Sequence, residues 1–257
     1  MSELAAQLDL LWPAFAAGLI VLATHVPLGI QVLARGIIFI DLAVAQVAGL
    51  GAVAAHLAER GDNPWIVQGA AVGAALGAAL LLQWTEKRWP QLQEALIGLL
   101  FVLAASGMVL LLASDAHGSE HLRDLLVGQM LWVSRSQLAL AAVVSGALLL
   151  AWRAFGRRGG SLAFYTVFSV AVTVSVQLVG VYLVFASLVV PALATHGMTR
   201  RRLAAALAIG GAGYLAGLAL AAFTDLPAGA ASVWMLAAAG LVWAFFRPAV
   251  APPRPLC

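Results

Sequence analysis

The amino-acid sequence predicts an all-α, polytopic integral membrane protein with eight or nine transmembrane helices, and three observations carry that prediction. Hydrophobic residues make up 63% of the 257 residues and charged residues only 10%, whereas a soluble domain carries about 25% charged residues. The apolar residues fall into long runs, and a membrane crossing needs about 20 of them. The breaks between runs are short and hold turn residues: Gly61-Asp62-Asn63-Pro64, Trp89-Pro90, Gly159-Gly160 and Asp225-Leu226-Pro227. Disorder, which needs low hydrophobicity and high charge, is excluded. The crossings leave no room for a soluble catalytic domain. The basic residues behind the net charge of +3 lie in loops between apolar runs, so no nucleic-acid partner is expected and the lipid bilayer is.

The first helix is predicted over 10–34. No Lys or Arg precedes Arg35, so this segment lacks the positive n-region of a cleaved signal peptide and reads as a retained helix. The second runs over 36–57 and holds Asp41, Gln46 and His56. The third, over 65–84, follows Asn63-Pro64 and carries Gly69, Gly73 and Gly77 at the spacing that lets helix backbones approach closely. That ridge reads first as packing within one subunit and second as a subunit interface; Gly213 and Gly217 repeat the spacing. The fourth helix covers 92–113. A polar connection follows over 114–137, with a short surface helix expected from Ser119 to Leu126. Further helices are predicted over 138–154, 161–179, 181–196, 203–223 and 229–246. The Pro-rich segment 247–257 reads as a flexible tail to a single domain, 1–257, with no internal repeat.

Ser161 to Thr195 is a stretch without charge, too long for one ordinary span and short for two. Gly180 lies near its middle and Pro191 in its second half. If it crosses twice with the N-terminus outside, Arg35, Lys87, Arg88, Arg153, Arg157, Arg158, Arg200, Arg201, Arg202, Arg247 and Arg254 face the cytoplasm. Only Arg60, Arg123 and Arg135 then lie outside, as the positive-inside rule requires. A single crossing weakens this asymmetry. The stretch therefore reads as a broken or re-entrant pair near 161–196. Broken backbone is tolerated in a membrane only where protein or a water-filled cavity covers it, and in transporters it often lies beside the pathway.

Ionisable residues within the membrane are costly and usually functional or paired. His25, Asp41, His56 and Glu94 are the candidates. His56 can snorkel to the interface. Glu94 can serve as the first-turn acid of its helix, stabilised by the dipole. His25 can bond the backbone group that Pro27 frees. Asp41 can be held by Arg35 from the helix start. Asp41 and His56 lie about 22 Å apart along a helix, so no single ion bridges them. A site must be assembled from several helices or from two subunits. The outer connection adds Asp115, His117, Glu120, His121 and Asp124, the densest set of metal-capable groups. His with carboxylate suits zinc, and carboxylates suit manganese. A solvated loop and a docking surface are the other readings of that set.

Other chemistry is missing from the sequence. The single cysteine, Cys257, forms no disulfide within the chain and cannot build a thiolate zinc site. Lys87 is the one lysine, and no P-loop, nucleophile elbow, H-E-x-x-H or C-x-x-C occurs. The chain is not expected to be an enzyme. ATP, if it drives transport, must be hydrolysed on another chain.

Several segments together resemble the permease subunits of bacterial ABC importers for zinc, manganese or iron. They are Pro27-Leu28-Gly29 followed by Arg35-Gly36 and Asp41; Glu94 to Gly98; Leu126 to Leu131; Leu178 to Val184, running on through Ser187 to Pro191–Thr195; and Asp225 to Gly229, similar to a D-x-P-x-G outer loop. The resemblance implies a bacterial cytoplasmic-membrane protein, and the distribution of Lys and Arg given above puts its N-terminus outside and its C-terminus in the cytoplasm. It implies a homodimer or paired permeases on cytoplasmic ATPase subunits, and an external metal-binding protein that delivers the ion. The transported substrate would be a divalent metal, zinc first, with manganese or iron as alternatives. Asp41, Gln46 and His25 would serve the metal path, with His117 and His121 assisting docking or capture. The family typically carries a His four residues after the helix-two Asp. Here position 45 is Ala, and alignment on Gly51 places Gln46, a weaker zinc ligand, in that role. The family also places a coupling helix before the Leu178 segment, and Arg153 to Gly160 leaves little room for one. Transport without ATP and a non-transporting scaffold or sensor are the rival readings.

Overall fold

The computed structural model describes residues 2–59, 63–112, 126, 128, 130–155, 160–224 and 226–246. It bears out the all-α prediction. In chain order the helices are α1 (Ser2–Arg35), α2 (Ile40–Glu59), α3 (Pro64–Arg88), α4 (Gln93–Leu112), α5 (Arg135–Phe155), α6 (Gly160–Val179), α7 (Val181–Ala194), α8 (Arg202–Thr224) and α9 (Ala228–Phe246), with short 3-10 turns at Pro90–Leu92 and Met130–Trp132. Eight of these helices are long and apolar enough to cross a membrane; α7 is the shorter apolar one. The chain is a multi-pass membrane protein. The expected Ser119–Leu126 surface helix and the 247–257 tail lie outside the described residues, apart from Leu126 itself.

Local chemistry sets the boundaries. Asn63 caps α3 by accepting from the Trp65 N–H at 3.1 Å, and Pro64 occupies the first turn, where its missing N–H costs nothing. At the other end, the Trp89 N–H closes on Thr85 O at 2.7 Å before Pro90 stops the helix. Gly180, at φ 81, separates α6 from α7. With 14 residues, α7 spans about 21 Å, less than the roughly 30 Å hydrocarbon core. The uncharged stretch is thus one full span and one short helix, the broken pair expected. Protein covers the break: Val179, Leu183 and Leu188 are fully buried, and α7 packs against α1 and α9.

Close helix crossings explain some glycines and not others. A Cβ on Gly213 would lie 2.7 Å from the Leu236 Cα, and one on Gly217 would strike Ser232, so these two seat α8 on α9. The ridge on α3 behaves differently. Nothing lies within contact of Gly69, Gly73 or Gly77, and all three are exposed. Packing within the subunit, the first reading of that ridge, is overturned. The reason lies in helical phase: Ala71, Ala75 and Ala78 bury the opposite face of α3, and Gly51 of α2 meets Ala74.

Candidate metal path

The cavity of interest lies between α2, α4, α7 and α9. It is an open-sided cavity of about 690 Å³, walled by apolar side chains, among them Phe101, Met108, Val181, Phe185 and Val233. Gln46, on the middle of α2, opens into it. Its residue is 4% exposed. Tyr182 and Trp234 also line the cavity and are themselves largely exposed.

Asp41 lies one turn and a half earlier, in the first turn of α2. It is fully buried, and neither carboxylate oxygen has a hydrogen-bond partner. Burying an unpaired charge is strongly unfavourable, so this carboxyl group can hold a proton or receive a cation. It is not among the residues lining the cavity, although its neighbour Leu42 is. Arg35 does not hold Asp41, contrary to one sequence reading. Arg35 pairs instead with Glu86 at 3.3 Å and stands over the Phe164 ring at 4.2 Å.

His25 is fully buried in α1. Its Nδ1 lies 3.0 Å from Thr24 Oγ1 and 3.1 Å from Val21 O, while Nε2 has no partner. Pro27 deprives the Ala23 carbonyl of its helix donor, so His25 does not satisfy the group that the proline frees; it bonds one turn back, to Val21. Glu94 Oε1 accepts from the Phe39 N–H at 3.4 Å and so joins α4 to the approach to α2 instead of acting on its own helix alone. His56 lies at the end of α2, partly exposed. His117 and His121 lie outside the described residues. Among the described residues no three His, Cys, Asp or Glu side chains converge on a common point.

Two polar clusters were not singled out in the sequence. Gln93 donates to Leu82 O at 2.9 Å and lies 3.1 Å from Tyr165 Oη, while Thr85 donates to the Gln93 side-chain oxygen at 2.9 Å. This network fastens α3, α4 and α6. Ser187 Oγ and Tyr214 Oη lie 2.8 Å apart, between α7 and α8. The signal for each was a lone polar residue on an apolar helix, which reveals nothing of its partner.

Three of the resembling segments meet in space. Gly128, at φ 73, lies directly against the Val179–Gly180 backbone. Gly128 and Met130–Trp132, together with Pro227–Gly229, line a hollow of about 290 Å³. The connection that the sequence reads as too short for a coupling helix falls between Phe155, the end of α5, and Gly160, the start of α6, and its residues 156–159 lie outside the described residues.

A family model described as the ABC 3 transport family matches residues 7–158 and 158–247. The two matched segments meet within that short connection. Among solved structures, the chain is similar to PsaBC from Streptococcus pneumoniae in complex with Fab, at 18% identity and TM-score 0.76, over 96% of each chain. It is also similar to a structure described as an inward-facing conformation of a metal-chelate type ABC transporter, at 17% identity and TM-score 0.66, over 91% of this chain and 85% of that one. At these identities the likeness concerns the fold. No curated protein matches the sequence.

Proposed function

The chain belongs to the ABC 3 transport family, and from that premise we propose that it carries a divalent metal, zinc first and manganese or iron as alternatives, along a path served by Asp41 and Gln46. It is a transporter permease of the metal type and not an enzyme; the ATPase is a separate subunit. The observation that carries the proposal is the arrangement on α2. Gln46 opens into a membrane cavity, and the first turn of the same helix holds a buried carboxyl group with no hydrogen-bond partner. A membrane segment retains such groups at a cost, which cation passage would explain. His25, with Nε2 unpaired, is assigned a supporting place near the path, and His117 and His121 are assigned to capture or docking on the outer side.

The assembly proposed is a homodimer or a pair of permeases, with cytoplasmic ATPase subunits and an external metal-binding protein. The exposed glycine ridge on α3 supplies a face on which a second helix could sit. We place the protein in a bacterial cytoplasmic membrane, N-terminus outside and C-terminus cytoplasmic, on the distribution of Lys and Arg. The description of one fold relative as a metal-chelate type ABC transporter agrees with a metal cargo.

The test is the elemental content of cells lacking this chain, grown under chelator stress, against cells complemented with it. A fall in one metal, restored by the intact chain and not by Asp41→Ala at equal abundance, is the expected result. Unchanged zinc, manganese and iron, with redundant importers also removed, would sink the proposal. The short 156–159 connection favours one rival, transport without ATP. Loss of uptake on deleting the partner ATPase would dispose of it.

A further inference from the structure

We propose that Glu94 is a carboxylate station for the divalent cation, placed where the cavity between α2, α4, α7 and α9 runs down to the start of α2, with Oε2 taking the ion while the Phe39 N–H holds Oε1. This rests on the metal-import reading above and adds a ligand to its path.

Helical phase brings Glu94 to the cavity. On α4, Phe101, Ala105 and Met108 line it, and positions 94, 98, 101, 105 and 108 recur at the spacing of one helix face. Glu94 therefore stands on the cavity-facing stripe, about 10 Å from Phe101 along the axis. On α2, Leu42 and Gln46 line the same cavity. Phe39 heads their stripe, and its carbonyl accepts the Ala43 N–H at 3.1 Å, so it belongs to the first helical turn. The Phe39 N–H donates to Glu94 Oε1 at 3.4 Å. The two stripes thus converge on this carboxyl group. Gly98 occupies the place between Glu94 and Phe101, and among the described residues no atom lies within 4 Å of a Cβ built there; the face is open from Glu94 to the cavity. Asp41 is five residues from Gln46, about 140° around the helix, which sets it behind the lining. The two acids flank the start of α2, Asp41 on its buried face and Glu94 on its cavity face.

The Glu94 carboxyl group is held in place but only half satisfied. Its neighbour Gln93 donates to Leu82 O at 2.9 Å and to Tyr165 Oη at 3.1 Å, and accepts from Thr85 at 2.9 Å, which fixes the first turn of α4. With Oε1 on the Phe39 N–H, Oε2 remains, buried and with no hydrogen-bond partner among the described residues. A buried polar oxygen without a donor is costly, and an arriving cation removes that cost. A carboxylate oxygen is a ligand for zinc and for manganese. Water can supply further donors: six waters occupy about 180 Å³, at roughly 30 Å³ each, and the cavity of about 690 Å³ admits them. Gln46 then offers its amide oxygen about 10 Å further along the α2 stripe.

The test is metal uptake by cells lacking this chain and complemented with variants at equal abundance. Glu94→Gln keeps an acceptor for the Phe39 N–H and loses the charge. Uptake should fall about tenfold or more, the scale on which metal affinity responds to a lost partner, with the thermal midpoint of the purified chain unchanged. Glu94→Cys, made in a Cys257→Ser background, puts a soft ligand at the station. It should retain part of the uptake, and cadmium should block that uptake at a concentration at least tenfold below the one that blocks the Cys257→Ser parent. A purely structural Glu94 would not move the cadmium response. Uptake by Glu94→Gln at the wild-type value, the same cadmium response in Glu94→Cys and its parent, or no uptake by Glu94→Cys would overturn the proposal. The intact chain separates this failure from the larger one. Metal content restored by the intact chain and equally by Glu94→Gln leaves import standing and removes the station; no restoration by the intact chain removes both.

Discussion

Arg35 Nη1 lies 3.3 Å from Glu86 Oε1, so the cation nearest to Asp41 in sequence is committed to α3. Ser161 Oγ donates to the other Glu86 oxygen, and the Arg35 guanidinium covers Phe164. Three helices, α1, α3 and α6, are fastened at this point, and among the described residues Asp41 is left without a counter-charge.

That division yields opposite expectations for two acids. Glu86→Gln breaks a partly exposed ion pair and should cost stability of about 1 kcal/mol or less. Its metal uptake per folded molecule should stay at the wild-type value. A double-mutant cycle with Arg35→Gln, read by thermal unfolding in detergent, measures the pair; a coupling of zero would mean that the contact contributes nothing.

Asp41→Asn should do the reverse. Neither oxygen of Asp41 makes a hydrogen bond, so replacing the carboxyl by an isosteric amide removes no interaction within the chain and relieves a potential buried charge. The folded protein should be as stable as wild type or more so, while uptake falls at least tenfold. A variant that unfolds instead would make Asp41 a structural residue and end its place in the path.

Glycine substitutions should separate the two ridges. Gly217→Leu drives a side chain into Ser232, and forced overpacking typically costs about 1–3 kcal/mol, so the α8–α9 pair should loosen and the yield of folded protein should fall. Gly73→Leu meets nothing within the chain, and the folded yield should hold. If a second copy sits on the α3 ridge, Gly73→Cys in a Cys257→Ser background should form a disulfide-linked dimer in membranes. Monomer alone under oxidation, at normal uptake, would place the subunit contact elsewhere.

These residues also mark what the sequence could and could not disclose. Helix number and most bounds were legible because apolar length and turn residues report them locally: Asn63-Pro64 opens α3 and Trp89-Pro90 closes it, whereas α1 begins at Ser2, eight residues before the apolar run that predicted it. Gly180 announced the break in the uncharged stretch for the same reason. Partner choice was not legible. Arg35 could serve Asp41, six residues away in sequence, or Glu86 on another helix, and only the packing of α1 on α6 and of α3 on α6 decides. The phase of the α3 ridge failed similarly, since alanine and glycine both permit close approach and spacing alone does not say which stripe is used. Gln46 was legible as a candidate through the alignment on Gly51, whereas its cavity, built by α4, α7 and α9 from distant parts of the chain, was not.

The turn between α7 and α8 offers the last prediction. Arg201 has φ 57, a left-handed conformation that costs a non-glycine residue roughly 1–3 kcal/mol, and the surrounding bonds hold it there. Thr195 Oγ1 donates to Pro191 O at 2.7 Å, the Met198 N–H to Thr195 O at 3.1 Å, and Arg202 Nη2 to Ala192 O at 3.2 Å. The turn thus presents exposed Arg200 and Arg201 side chains on a fixed backbone. With only residues 156–159 joining α5 to α6, this basic turn is a surface through which an ATPase subunit could be engaged. Arg201→Gly suits the left-handed backbone, and Gly commonly fills such positions, so it should raise stability by a few tenths to about 1 kcal/mol. Arg200→Glu with Arg201→Glu reverses the charge and should reduce ATP-dependent uptake at least fivefold at unchanged abundance. Co-purification of the ATPase distinguishes the causes: its loss with the charge reversal, and its retention with Arg200→Lys, would assign docking to this turn. Full co-purification and full uptake in the reversed variant would leave the arginines with the topological role that the positive-inside rule gives them.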